Sequence, residues 1–182
     1  MRKIAGVIAA AALMLPVGIL ASSPAGAAGG TTCKAAAGKA TFTPPLPIFA
    51  SAAKVKNTLT AAGTITKCTG GGVTKATTKF TSPKSTTGAN CTTLSKPDPK
   101  SKGTIGTFTI TWGPGKTSTV AKFAIKQTKN PVQATTTGKI TKGLFVGSSV
   151  TGKVQYTLPA NACTKAPLKT VTYKNIGNFV IK

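Results

Sequence analysis

The sequence predicts an all-β protein. The expected architecture is an antiparallel Greek-key β-sandwich of about eight to ten strands, with a partly closed β-barrel as the alternative. Three observations lead there. Apolar and polar residues alternate with a period of two through most of the chain, and no segment carries a helical apolar stripe. Thr is the commonest residue, and its branched Cβ favours strands. Gly, Pro and Asn clusters punctuate the alternating runs at short intervals.

The clearest strand is Phe108-Thr109-Ile110-Thr111-Trp112, in which apolar and Thr positions alternate. Its partner follows the tight turn Gly113-Pro114-Gly115-Lys116 and places Ala121, Phe123 and Ile125 on one face, with Lys122 and Lys126 on the other. Val55, Leu59, Ala61 and Ile65 repeat the pattern, as do Val150, Val154, Tyr156 and Leu158, and then Val171 and Tyr173. Gly70-Gly71-Gly72 turns the strand ending at Cys68 into one running from Val73 to Phe80, and Asn175-Ile176-Gly177 connects the last two strands. Pro44-Pro45-Leu46-Pro47 does not suit a central strand, and Ser95 to Lys102 reads as a polar loop. The long connections at 44–54 and 82–103 suit Greek-key crossings better than a simple meander.

At the N-terminus, Met1-Arg2-Lys3 is positive, Ile4 to Leu20 is almost wholly apolar, and Ala25-Gly26-Ala27 offers small residues for cleavage. Residues 1–27 are therefore expected to be a cleaved secretory signal peptide and 28–182 a single all-β domain. No second hydrophobic span follows, so no membrane span is expected after cleavage, and the location is expected to be extracellular. Four cysteines remain. In an oxidising compartment an even count reads as two disulfides. If 33–43 and 55–68 are antiparallel neighbours, Cys33 lies near Cys68, which leaves Cys91 with Cys163. A zinc site is disfavoured, since the chain has no His and no Cys-x-x-Cys.

The charge is extreme. Lys and Arg number 24 against a single acid, for a formal net charge of +23; loss of Arg2 and Lys3 with the signal would leave +21. That one acid is Asp98, between two prolines in a Lys-rich loop, where a solvated turn residue is expected rather than a catalyst. With no Glu and no His, general acid–base chemistry has almost nothing to draw on, so a non-enzyme with no catalytic residue, metal or cofactor is expected. The lysines favour anionic polymers by counterion release. Lys is a flexible point charge and lacks the planar fork of Arg, so sequence-specific nucleic-acid binding is not expected. Trp112 is in phase with Phe108 and Ile110, which points to the core rather than to a sugar-stacking platform.

Four segments resemble small secreted Thr/Gly-rich, two-disulfide β-proteins of actinobacteria. They are Gly38 to Leu46, Gly63 to Gly70, Gly103 to Val120, and Gly143-Leu144-Phe145-Val146-Gly147. The resemblance implies an Ig-like or related sandwich and an extracellular location, and brings no active site to transfer. The present chain departs from that pattern in its heavy Lys content.

Two functions are expected from these readings. The first is a secreted, non-catalytic protein whose Lys surface makes weak, salt-sensitive contact with anionic cell-envelope polymers. The alternative is a carrier for a small hydrophobic ligand or carbohydrate, held in a cleft between sheets.

Overall fold

A computed structural model describes residues 29–51, 53–85, 88–95, 103–130 and 132–182. Its strands are β1 (Thr31–Leu46), β2 (Thr58–Thr69), β3 (Ala76–Thr81), β4 (Thr104–Gly113), β5 (Lys116–Gln127), β6 (Gln133–Lys139), β7 (Lys142–Gly143), β8 (Ser149–Thr157), β9 (Leu168–Asn175) and β10 (Phe179–Ile181). One short helix, α1 (Cys91–Ser95), interrupts them. Residues 1–27, the expected signal peptide, and Asp98 lie outside the described residues.

Each strand is antiparallel to its neighbours, in the order β1-β2-β3-β4-β5-β6-β8-β9. β9 then pairs back onto β1, with Ala40 opposite Val171. The result is a closed eight-stranded barrel, the alternative architecture rather than the sandwich. The expected Greek-key crossings are likewise replaced by an up-and-down meander. The described parts of the long connections gather at one end of the barrel, where the Val55–Ala89 bridge joins two of them.

Two barrel positions are shared by interrupted strands. β9 pairs with Ala37–Leu46 of β1, and β10 continues the same position opposite Thr31–Cys33. Asn175-Ile176-Gly177 is therefore a break within one strand position, not a turn between two neighbours. Asn175 bridges the break: its Oδ1 accepts from the Ala36 N–H at 2.8 Å and its Nδ2 donates to the Lys34 carbonyl at 3.0 Å. A side-chain amide thus takes the place of the missing peptide in the ladder. β6 and β7 share the position beside β5 in the same way.

Inward positions follow the alternation with one informative exception. The β4–β5 register shifts between Gly106 and Phe108, and a bulge of this kind turns the next side chains to the opposite face. Val120 and Phe123 are both buried, while Ala121 and Lys122 are both exposed. Ala121 therefore does not share the inner face with Phe123 and Ile125, as simple alternation predicts.

The inner surface packs aromatic rings over glycines of adjacent strands. Tyr173 lies across the Gly38–Gly63 pair, and a Cβ at either glycine would collide with its hydroxyl and with backbone carbonyls. Phe80 covers Gly106, Phe123 covers Gly138 and Phe179 covers Gly152. The rings fit because the neighbouring strand offers no side chain there.

Gly63→Val discriminates packing from propensity. Strand propensity alone favours Val over Gly by up to about 1 kcal/mol. The occupied space instead predicts destabilisation by about 1–3 kcal/mol or more in urea unfolding; unchanged or raised stability would contradict the Tyr173 packing.

Candidate ligand-binding site

The barrel interior divides into a filled half and an open half. At the end formed by the starts of β1, β5 and β8, the lumen is packed with Ile110, Trp112, Val120, Ile140, Phe145, Val150 and Ile181. Trp112 is buried, meets Phe145 edge-on at 5.5 Å and donates its indole N–H to Ser118 Oγ at 2.9 Å. Trp112 is thus a core residue with its polar atom satisfied, and the exposed platform needed for sugar stacking is not available there. Cys33 and Cys68 face each other in the β1–β2 ladder and are joined as a disulfide.

A layer of phenylalanines lies above this plug. Phe108 stacks on Phe123 with ring centroids 4.3 Å apart, and Phe80 and Phe179 flank the pair at 6.0 and 6.2 Å. Beyond that layer several inward residues are small: Ala36 and Ala40 on β1, Ala61 on β2, Ala134 on β6 and Val154 on β8. A cavity of about 820 Å³ results, bounded by residues of every barrel strand. An eight-stranded barrel is wide enough either to be filled by its side chains or to hold one small ligand. In this protein each half takes one of the two options. The volume lies within the range of small-molecule sites, about 300–1,000 Å³.

Polar side chains also line this lumen, among them the buried Thr78, Ser82 and Thr136. Tyr173 extends toward Thr78, and Tyr156 is hydrogen-bonded by the Gln127 side chain. Burial pushes both phenols above their ordinary value of 10.0, opposed in part by those hydrogen bonds. Near the mouth, Asn57 is buried, and Ser85 Oγ is buried with no hydrogen-bond partner; both border the cavity.

The mouth is partly covered by the connections once expected to be crossovers. Asn90 caps α1, accepting from the Thr93 N–H at 3.0 Å while Thr93 Oγ1 accepts from the Asn90 N–H at 3.0 Å. This is the reciprocal arrangement of a capping box. The amide of Asn90 also donates to the Ser51 and Ala53 carbonyls, so one buried side chain fixes two connections. Cys91 is bonded to Cys163 and donates its N–H to the Pro47 carbonyl at 3.0 Å. Gln127 Nε2 donates to the Leu94 carbonyl, which fastens α1 to the end of β5. These contacts hold the cover in place while leaving the cavity bordered by Lys54, Pro83, Lys84 and Leu94.

The cavity residues were not singled out by sequence patterning. The available signal was the small size of inward residues such as Ala36 and Ala40 on β1, Ala61 on β2 and Ala134 on β6, where a packed core needs bulk. Among the described residues, the His, Cys, Asp and Glu side chains reduce to the four disulfide cysteines. Every described lysine is exposed. The lysines occupy outward positions on every barrel strand except β4, a distributed coat over the described wall. No protein-family model, curated protein or solved structure matches the chain.

Two measurements check this geometry. The chain has two tyrosines, both against the lumen, so tyrosinate absorbance reads the site directly. With folded pKa values raised above the unfolded value, their contribution to stability is present below about pH 10 and lost as pH rises through the raised values. A titration should show both phenols ionising above pH 10.0; ordinary ionisation of both in the folded protein would contradict their burial. Replacing Cys91 and Cys163 by Ala opens a loop whose ends are 72 residues apart. The chain-entropy relation predicts a loss of about 4 kcal/mol, measured by denaturant unfolding; a loss below about 1 kcal/mol would contradict the bridge's structural role.

Proposed function

We propose that this protein is a secreted, non-catalytic carrier that holds one small apolar molecule in the open half of its barrel. The observation that carries the reading is the cavity of about 820 Å³. Its floor is a phenylalanine layer, and Ala, Val, Leu and Ile side chains share its walls with Thr, Ser, Tyr and Lys. Closely packed interiors rarely leave voids larger than a water molecule, so an apolar space of this size is a feature to be explained. Binding would remove both the ligand and the cavity wall from water, at roughly 0.8 kcal/mol per buried methylene.

The disulfides accord with an oxidising compartment, which supports secretion. The lysine coat supports solubility and protection against association of exposed strand surfaces. Contact with anionic envelope polymers draws on the net charge alone, whereas the carrier reading draws on a formed and fastened site. We therefore favour the carrier.

Titration with the neutral fluorophore N-phenylnaphthylamine tests the reading. One molecule should bind per chain with a dissociation constant of roughly micromolar order, and fluorescence should rise on transfer to the lumen. Ala61→Trp fills the cavity and should weaken binding by about tenfold or more while the barrel still folds. Absence of binding, or binding indifferent to Ala61→Trp, would overturn it.

A further inference from the structure

Among the described residues, the charged groups at the cavity mouth are all cations. Lys54 and Lys84 come from the two connections that cover the opening, and both are exposed and border the cavity. Lys126, at the end of β5, borders it as well. Beside Lys84 stands Ser85, whose buried hydroxyl has no hydrogen-bond partner among the described residues. Its backbone N–H is already committed to the Asn57 carbonyl at 2.8 Å, so the free hydrogen-bonding capacity belongs to the side chain. The described residues include no Asp or Glu to neutralise these ammonium groups. Below them the walls turn apolar within one layer, from Leu59 and Ile125 to Phe80, Phe108 and Phe123.

From this juxtaposition we infer that the ligand is a single-chain anionic amphiphile, with its hydrocarbon tail in the lumen and a carboxylate-type head between Lys54 and Lys84, where it accepts a hydrogen bond from Ser85. The inference rests on the carrier reading and specifies its ligand class. An unpaired buried hydroxyl carries a desolvation penalty that a charged acceptor would relieve. Point-charge ammonium groups suit a compact head that is not read in a planar, bidentate way. A rim of cations above an apolar well fixes the direction of entry, tail first, since the head is stabilised only at the mouth. The cavity of about 820 Å³ lies within the range of small-molecule sites, enough for one long unbranched chain.

The test compares palmitate with its neutral methyl ester by calorimetric titration at low salt. The account expects palmitate to bind about tenfold more tightly than the ester, and expects the preference to shrink as salt screens the exposed ammonium groups. Lys54→Gln with Lys84→Gln should erase the preference, bringing the affinity for palmitate down to that for the methyl ester. Ser85→Ala should reduce it in part.

Because a strongly cationic protein attracts any anion, a control of equal charge is needed. Lys67→Gln with Lys142→Gln, at the filled end of the barrel, should leave the preference intact. Equal affinity for acid and ester would overturn the head-group assignment and leave the carrier reading standing. Equal loss from the mouth pair and the distant pair would assign the preference to net charge and overturn it too. Binding of neither compound would overturn both readings.

Discussion

β1 runs for sixteen residues, and its length is what closes the structure. On one side it bonds to β2 from Thr32 to Thr43. On the other it receives β9 along its second half and β10 along its first three residues. A shorter strand would leave either β9 or β10 without a partner, and with it a row of unsatisfied backbone groups at a sheet edge. Closure removes that edge, creates an interior, and obliges the chain to decide what fills it. Asn175 shows how tightly the constraint acts. Where the backbone leaves the ladder between β9 and β10, its side-chain amide supplies the donor and acceptor that β1 still requires.

The interior is filled unevenly, and side-chain size sets the division. Large rings lie over glycines toward the plugged end, as with Phe123 over Gly138 and Phe179 over Gly152. Alanines face one another toward the mouth, as with Ala40 opposite Ala61. The same closed sheet therefore supplies both a stable core and an unfilled well, separated by the Phe108–Phe123 stack. The disulfides follow this division. Cys33–Cys68 belongs to the plugged end, while Cys91–Cys163 anchors α1 over the mouth. One reinforces the core and the other the entrance. Charge is partitioned as sharply, with lysines outward along the strands and only those of the covering segments, with Lys126, bordering the opening.

Much of the fold class is legible in the sequence because half-buried strands print their period directly. Phe108, Ile110 and Trp112 point inward and Thr109 and Thr111 do not, as their alternation indicates. The all-β class and the two disulfides follow from such local signals. Closure does not, since a barrel and a sandwich impose the same alternation and differ only in whether β9 returns to β1. The bulge that turns Ala121 outward is equally hidden, because it depends on the register against Gly106 and Phe108. The cavity is legible only in retrospect. Ala and Gly at inward positions read as weak strand residues until their neighbours are known to be Ala and Gly as well. Ser85 and Lys84 carry no motif, and their meaning comes entirely from the connection that brings them to the mouth.

The central claim is that the lumen, and not the lysine-coated wall, is where a ligand resides. Isotope-edited NMR of the protein saturated with an apolar ligand tests it most directly, through alanine methyls that lie on the same or adjacent strands, some against the cavity and some exposed. The account predicts intermolecular contacts from the ligand to Ala61 and Ala134, which border the cavity, and none to Ala62 or Ala121, which are exposed on the outer wall. Contacts to Ala62 and Ala121 without contacts to Ala61 and Ala134 would contradict it.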